Sequence, residues 1–397
     1  MNLSVSTSHR DRNAFHTWCR DSLFTPTVRS GLTLADAACD LHIQQIYRRL
    51  NLHTLLQRPM TGNEIAEKLG YVETAGITME AMLSRLARRT NFVRAEGDPP
   101  HFQAIEEPQD VEARLREVRA AIGELGEGYV AATDFLEFGA ANFEIALRDD
   151  PDMFDRILSG RDAENAELWF RATNTDPTQD VHGRMGAEAL LALFDGGTIL
   201  ELGGGTGNGI RHLLERFAAE GELGRIEEYI FTDISLQFIL GTRHEIAPRY
   251  PGLKSAWKYL DINEPFWPQK IAPSSVDLIY AVNAAHVARD IVAMLKECRR
   301  TLRPGGRVAF AERVRFNDGE MAPRELALNL SIYHRTAAIR NPEYRPVHCY
   351  LAPQHWLRVL ELAGFEEAEI LPNYDHLTPR VDHPYAAVVT AVRKEDA

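Results

Sequence analysis

A run of glycines directly after an apolar segment constrains the fold of this chain most strongly. The stretch TILELGGGTGNG runs from Thr198 to Gly209 and places five glycines within seven residues. Backbone without a Cβ atom turns tightly and lets a ligand approach closely. A strand followed by such a loop and then by a helix is typical of a nucleotide-like ligand site in an α/β sheet.

Strand-like and helical segments alternate through the C-terminal half of the chain. TILEL precedes RHLLERFAAE, EYIFTD precedes LQFILGTRHEIA, and DLIYAV precedes IVAMLKECRRTL. This alternation predicts an α/β fold with a doubly wound, mostly parallel, Rossmann-like sheet and helices on both faces. The last two strand-like runs, EEAEIL and AAVVTAV, are joined by a loop without a helix signal, so we expect them to run antiparallel.

The spacing of the glycines discriminates between ligand classes. A dinucleotide site needs glycine at positions 1, 3 and 6 of its fingerprint, and no register of this loop meets that requirement. A phosphate loop would end in Gly-Lys-Ser/Thr, which is absent from the stretch. The pattern present is acid-x-Gly-x-Gly-x-Gly, formed by Glu201, Gly203, Gly205 and Gly207. It resembles the first motif of class I S-adenosylmethionine-dependent methyltransferases.

Further positions in the right order extend this resemblance over about the last half of the chain. Asp233 ends the second strand-like run, where a carboxylate can accept hydrogen bonds from both ribose hydroxyls. Asp261 and Ile262 follow the third, and the stretch LRPGG precedes the fifth. The resemblance implies S-adenosyl-L-methionine as cofactor and the following cofactor-binding residues: Glu201, Gly203, Gly205, Gly207, Asp233, Asp261, Ile262 and Asn283.

A histidine and a glutamate are the candidate catalytic residues. His286 lies just beyond the fourth strand-like run and Glu312 ends the fifth, so adjacent parallel strands would bring them together. A carboxylate beside an imidazole would orient it and favour its protonated form. The arrangement NxxHxxRDI…LRPGG…E resembles the C-methyltransferase domains of polyketide synthases, which use such a dyad. In small-molecule O-methyltransferases the histidine is usually followed by Asp-Trp, whereas here Val287-Ala288 follow.

The segment SIYHRTAAIRNPEYRPVHCY is rich in tyrosine, histidine and arginine. A guanidinium group pairs well with a carboxylate or phosphate of an acceptor. Each of these side chains is equally compatible with a place on the protein surface. The candidate substrate-binding residues are Tyr333, His334, Arg335 and Arg340.

The sequence of the N-terminal third predicts two helices followed by a hairpin, which is the order of a winged helix. Thr61 to Glu64 forms a capping-box pattern before EIAEKLG, a second helix follows near Met79–Arg89, and NFVRAEGDPPHFQA contains two short extended pieces. We predict an N-terminal winged-helix-like dimerisation domain (residues 1–105), a helical connector or lid (106–180) and the methyltransferase domain (181–397). The alternative is a DNA-binding regulator with a cofactor-sensing domain, which Arg85, Arg88 and Arg89 favour.

Composition restricts the partners and the location. The formal net charge of −13 argues against nucleic acid as a ligand. The four cysteines are scattered and suggest no zinc site, so we expect no metal. There is no run of 18 apolar residues and no signal peptide, which predicts a cytoplasmic protein without membrane contact.

The overall arrangement resembles that of dimeric small-molecule O-methyltransferases, which predicts a homodimer. The function expected from the sequence is therefore methyl transfer to an oxygen, hydroxyl or carboxylate, of a small-molecule, secondary-metabolite acceptor. The alternative is C-methylation of a polyketide-like or carrier-bound acyl substrate.

Overall fold

The computed structural model of the chain describes residues 9–148, 163–315, 350–372 and 386–394, together with Pro323, Leu326, Tyr344 and Arg345. The described helices are α1 His9–Trp18, α2 Pro26–Arg49, α3 Leu52–Leu55, α4 Gly62–Leu69, α5 Ala75–Arg89, α6 Val111–Leu125, α7 Glu127–Ala141, α8 Phe143–Arg148, α9 Ala163–Asn174, α10 Pro177–Leu193, α11 Asn208–Ala219, α12 Leu236–Arg249, α13 Ile291–Thr301 and α14 Pro353–Leu362. None of these described helices is long and apolar enough to cross a membrane.

The described strands are β1 Val93–Glu96, β2 His101–Ala104, β3 Gly197–Leu202, β4 Ile226–Asp233, β5 Ser255–Tyr259, β6 Val276–Val282, β7 Leu302–Arg313, β8 Glu366–Leu371 and β9 Ala386–Val392. Strands β3 to β9 form one seven-stranded sheet in the order β5-β4-β3-β6-β7-β9-β8. The first five of these strands in chain order, β3 to β7, run parallel, and β9 is antiparallel to both β7 and β8. The predicted α/β sheet and its antiparallel last pair are confirmed.

Burial explains why the central strands read as continuous apolar runs. All six residues of β3 are buried, and so are five of the seven residues of β6. A parallel sheet with helices on both faces buries both sides of its strands, so apolar and polar residues do not alternate along them. Strand β4 lies beside β3 on one side, and β6 lies beside β3 on the other side. The carboxyl ends of β3 and β6 therefore flank the switch point of the sheet.

Contacts divide the chain into two units. One unit comprises Met1–Pro26, Gln179–Phe316 and Tyr350–Ala397, and the other comprises Thr27–Thr178 and Asn317–Cys349. The domain boundaries predicted after residues 105 and 180 stay a prediction. The contact division groups residues 106–178 with the helices that precede them, and it groups the first 26 residues with the sheet.

Local sequence signals set the elements of the unit that contains residues 27–178. The Thr61 hydroxyl accepts from the Glu64 amide and the Glu64 carboxylate accepts from the Thr61 amide, so the predicted capping box of α4 is confirmed. Gly70 ends this helix with φ of 68°. Helix α5 and the β1–β2 hairpin follow in the predicted order. Assignment of these elements to the winged-helix class stays a prediction.

The arginines that favoured a DNA-binding alternative are engaged within this unit. Arg85 is 1% exposed and donates to carboxylates of Asp36 and Asp40, at 2.9 Å and 2.6 Å. Arg89 pairs with the same two carboxylates. A buried arginine that lost these partners would leave uncompensated charge. The ion pairs therefore give Arg85 and Arg89 a role in holding α2 to α5.

Candidate active site

The glycine loop after β3 adopts backbone conformations that side chains disfavour. Gly203, Gly205 and Gly207 have φ of 58°, 54° and 85°. A Cβ atom at Gly205 would meet nothing nearer than the Gly203 carbonyl at 4.0 Å, so the loop surface is open there. Amide groups at the start of α11 lie directly after this loop. The geometry fits a ligand that approaches backbone closely, as the resemblance implied.

The carboxylate of Asp233 lies against this loop. Its Oδ2 accepts from the Gly205 amide at 2.9 Å and its Oδ1 accepts from the Ser235 amide at 2.7 Å. Burial raises the pKa of Asp233, and the backbone amides act in the opposite direction. A carboxylate has about four lone-pair sites, so these two bonds do not exhaust its capacity to accept. Asp233 can therefore accept hydrogen bonds from a pair of hydroxyl groups.

Glu201 lies beneath the loop and not at its surface. The side chain is fully buried, and the Tyr229 hydroxyl donates to its Oε2 at 2.8 Å. A Cβ atom at Gly209 would collide with its Oε1, so α11 begins directly against this carboxyl group. Burial raises the pKa of Glu201 to about 8. This placement makes Glu201 a support for the loop, and direct contact with a cofactor stays a prediction.

Three other predicted cofactor residues follow the ends of β5 and β6. Asp261 Oδ1 accepts from the amide and the side-chain nitrogen of Asn263, at 2.9 Å and 3.0 Å, and so shapes the turn after β5. Ile262 is buried beside it. Asn283 follows β6 with φ of 49°, and its Oδ1 accepts from the Arg313 amide at 2.7 Å. Asn283 therefore links the ends of β6 and β7.

The predicted histidine and glutamate meet at the ends of these same two strands. His286 Nδ1 and Glu312 Oε2 are 2.6 Å apart, and the side chains are 3% and 0% exposed. Glu312 Oε1 accepts from the Ala284 and Ala285 amides at 3.1 Å and 2.8 Å. The carboxylate thus has partners on both oxygens. It is held in place before any substrate arrives.

This arrangement gives the imidazole a defined role in proton transfer. A carboxylate on Nδ1 favours the tautomer with its proton on Nδ1. Nε2 is then the nitrogen that accepts a proton. When it does, the buried negative charge of Glu312 balances the new positive charge. The site can therefore act as a general base in a place from which water is largely excluded.

Sequence reasoning missed one aromatic residue of this site. The Tyr350 ring packs on the His286 imidazole, with ring centroids 4.6 Å apart. The segment around it had been singled out only for its composition, because no strand or helix pattern fixes where this tyrosine lies. The predicted substrate residues Tyr333, His334, Arg335 and Arg340 lie outside the described residues.

Comparison with known sequences locates a methyltransferase domain in the sheet unit. Residues 200–308 match the family model described as a methyltransferase domain. A highly reducing polyketide synthase of Pyrenophora dematioidea is 32% identical over 206 residues, which cover 50% of this chain and 8% of that protein. Highly reducing polyketide synthase 2 of Gibberella zeae is 30% identical over 182 residues, covering 44% and 7%. The chain thus matches a small part of each of these relatives.

Comparison with solved structures extends the likeness to nearly the whole chain. The CurJ carbon methyltransferase superposes with a TM-score of 0.76 at 18% identity, covering 98% of this chain and 99% of that one. The C-methyltransferase domain of the citrinin polyketide synthase gives 0.69 at 17% identity, covering 98% and 95%. At this identity the likeness is one of fold. It confirms the Rossmann-like sheet and includes the helical N-terminal region.

Proposed function

We propose that this chain, which carries a methyltransferase domain at residues 200–308, is a class I S-adenosylmethionine-dependent methyltransferase that methylates carbon. The acceptor we propose is a β-carbonyl acyl compound, presented as a thioester. The observation that carries the proposal is the buried contact between His286 and Glu312. Oxygen was the acceptor expected from the sequence, and the findings favour the carbon alternative.

A carbon acceptor explains why a prepared base is present. A carbon or hydroxyl acceptor carries a proton that must leave, whereas a carboxylate acceptor is already ionised at neutral pH. The dyad therefore argues against a carboxylate, and the relatives favour carbon over hydroxyl oxygen. The carbon between two carbonyl groups is acidic enough for an imidazole to deprotonate. Glu312 stays with the imidazolium and offsets its charge. The dyad thus suits removal of a proton from such a carbon.

The relatives support the same acceptor class. The similar sequences are named as polyketide synthases, and two similar structures are named as carbon methyltransferases. These names describe those proteins, and this chain covers 8% of the first relative. They nevertheless agree with the His-Glu pair, and with the absence of Asp-Trp after His286. We therefore propose an acyl thioester as the acceptor.

Different residues of this chain accept the proton and hold the cofactor. S-adenosylmethionine supplies an electrophilic methyl group when bound. His286 accepts the acceptor proton at Nε2, and the electrons of the broken C–H bond form the new C–C bond. The electrons of the methyl–sulfur bond leave with the thioether. The loop at Gly205 and the Asp233 carboxylate would hold the cofactor so that its methyl group faces the acceptor carbon.

A matched pair of acceptors tests this proposal. The acetoacetyl thioester of N-acetylcysteamine has a methylene group between two carbonyls, and the 3-hydroxybutyryl thioester has a hydroxyl group in place of one carbonyl. Each is incubated with protein and labelled S-adenosylmethionine, and the products are analysed by mass spectrometry. We expect methylation of the acetoacetyl compound alone. Faster methylation of the hydroxy compound would overturn the proposal and restore oxygen as the acceptor.

A further inference from the structure

Tyr350 is a buried aromatic residue with two kinds of contact in the site. Its side chain contacts the imidazole of His286, with a 45° angle between the ring planes. The guanidinium carbon of Arg313 lies 5.7 Å from the centroid of the same ring. Its backbone carbonyl accepts from Arg315 Nε at 3.1 Å. Tyr350 is 4% exposed, so these contacts are made away from bulk solvent.

The Tyr350 ring adds a second constraint on the imidazole to the bond with Glu312. The bond from Nδ1 to Glu312 holds one nitrogen, and the ring can still turn slightly about its two side-chain torsions as that bond bends. Such a turn would move Nε2 away from the acceptor carbon. A flat side chain packed on the ring face restricts this turn. A misplacement of about 1 Å costs roughly 10²-fold in rate in enzymes.

One strand end organises both constraints. Glu312 and Arg313 are the last two residues of β7, and Arg315 follows two residues later. Glu312 holds the edge of the imidazole, while the two arginines contact the ring and the carbonyl of the tyrosine that packs on its face. Both arginines are buried, at 4% and 6% exposure. A cation near an aromatic ring is attracted to it more strongly when both groups are desolvated.

We propose that Tyr350 is a positioning residue that fixes the plane of the His286 imidazole. It acts through His286 and needs no contact with the acceptor. The proposal rests on the proposed function for its kinetic consequence, but the placement itself can be measured without turnover. The aromatic ring is the active part of the side chain, so phenylalanine should replace tyrosine with little loss.

Described charged residues close to His286 make contacts of their own. Glu312 binds its edge through Nδ1. The Asp290 carboxylate accepts from the Ala293 amide and so caps α13. Arg289 is exposed, with its amide bonded to Asn263. Arg313 contacts the tyrosine ring.

Kinetics of two variants form the first test. Tyr350→Leu removes the ring, and Tyr350→Phe retains it. With the acetoacetyl thioester we expect kcat to fall about 10- to 100-fold in the leucine variant and to recover in the phenylalanine variant, with KM for S-adenosylmethionine unchanged in both. Phe194→Leu is the control, since it removes another buried aromatic residue of the same unit. An equal loss of kcat in the control variant, or no loss in Tyr350→Leu, would overturn the proposal.

Nuclear magnetic resonance of the imidazole forms the second test and requires no acceptor. In the wild-type protein and in Tyr350→Phe, the Nδ1 proton of His286 should give one sharp low-field signal. In Tyr350→Leu that signal should broaden or disappear, while Phe194→Leu keeps it. Unchanged signals in Tyr350→Leu would contradict the positioning role. If the acceptor is not methylated while the signals change as expected, the proposed function fails and the inference about Tyr350 stands.

Discussion

The imidazole of His286 and the carboxylate of Glu312 meet at 2.6 Å although 26 positions separate them in the chain. His286 follows β6 and Glu312 lies at the end of β7, and the carboxyl ends of these adjacent parallel strands lie side by side. Two backbone amides hold the other carboxylate oxygen. The contact therefore follows from the sheet itself, and it places a base beside the switch point where the glycine loop also ends.

Removal of the base should lower the rate of the chemical step and leave the affinity for S-adenosylmethionine unchanged. In His286→Ala we expect turnover to fall by roughly 10²–10⁴. Isothermal titration should give a dissociation constant for S-adenosylmethionine within a factor of about two of wild type, because the carboxylate that binds the loop at Gly205 is that of Asp233, at the end of a different strand. Retention of full turnover would show that the acceptor needs no base.

Glu312 should affect turnover because it selects the tautomer of the His286 imidazole. Glu312→Gln has nearly the same shape and can still accept from Ala284 and Ala285. Its amide nitrogen, however, would face Nδ1 and favour the tautomer with its proton on Nε2. We expect turnover to fall by roughly 10²–10⁴, as in other dyads whose tautomer is reversed. A loss below threefold, measured under saturating substrates, would mean that Glu312 does not set the tautomer.

Asp233 should control the affinity for the cofactor. Asp233→Ala removes the acceptor for two backbone amides and for incoming hydroxyl groups, and hydrogen bonds to charged groups contribute about 1.5–3 kcal/mol each. We therefore expect affinity for S-adenosylmethionine to fall by about 10- to 100-fold or more, measured by titration calorimetry. Glu228→Gln is the control on the same strand, where a partly exposed acid pairs with Lys254. Equal losses in the two variants would refute a specific role.

Glu201 should make stability depend on pH. Its pKa is raised from 4.5 to about 8 by burial in the folded protein. Because the folded state binds this proton more tightly than the unfolded state, its contribution is present at low pH and is lost as pH rises from about 4.5 through 8. One pKa unit corresponds to about 1.4 kcal/mol. The unfolding free energy of wild type should therefore fall over this range relative to that of Glu201→Gln, as measured by urea titration. Parallel curves for the two proteins would contradict this account.

Local patterns predicted the parts of the structure that depend on neighbouring residues. The mostly parallel sheet, the glycine loop and the pair formed by His286 and Glu312 could be predicted because strands and helices alternate along the chain and parallel strands align their carboxyl ends. The capping box at Thr61 depends on four adjacent residues and was predicted as well.

Other features depend on contacts that no local pattern records. Tyr350 meets His286 across 64 positions of chain, and its neighbours give no strand or helix signal. The contact division also joins Asn317–Cys349 with Thr27–Thr178, and Met1–Pro26 with the sheet. The choice between oxygen and carbon depends on the acceptor, which is not encoded in the motifs that bind the cofactor.

The bond formed by the transferred methyl group tests the central claim most directly. The acetoacetyl thioester is prepared with carbon-13 at the carbon between its carbonyls, and S-adenosylmethionine with carbon-13 in its methyl group. The account predicts that the product shows one-bond coupling between these two labelled carbons in its nuclear magnetic resonance spectrum. A methyl carbon bonded to oxygen, without that coupling, would contradict it.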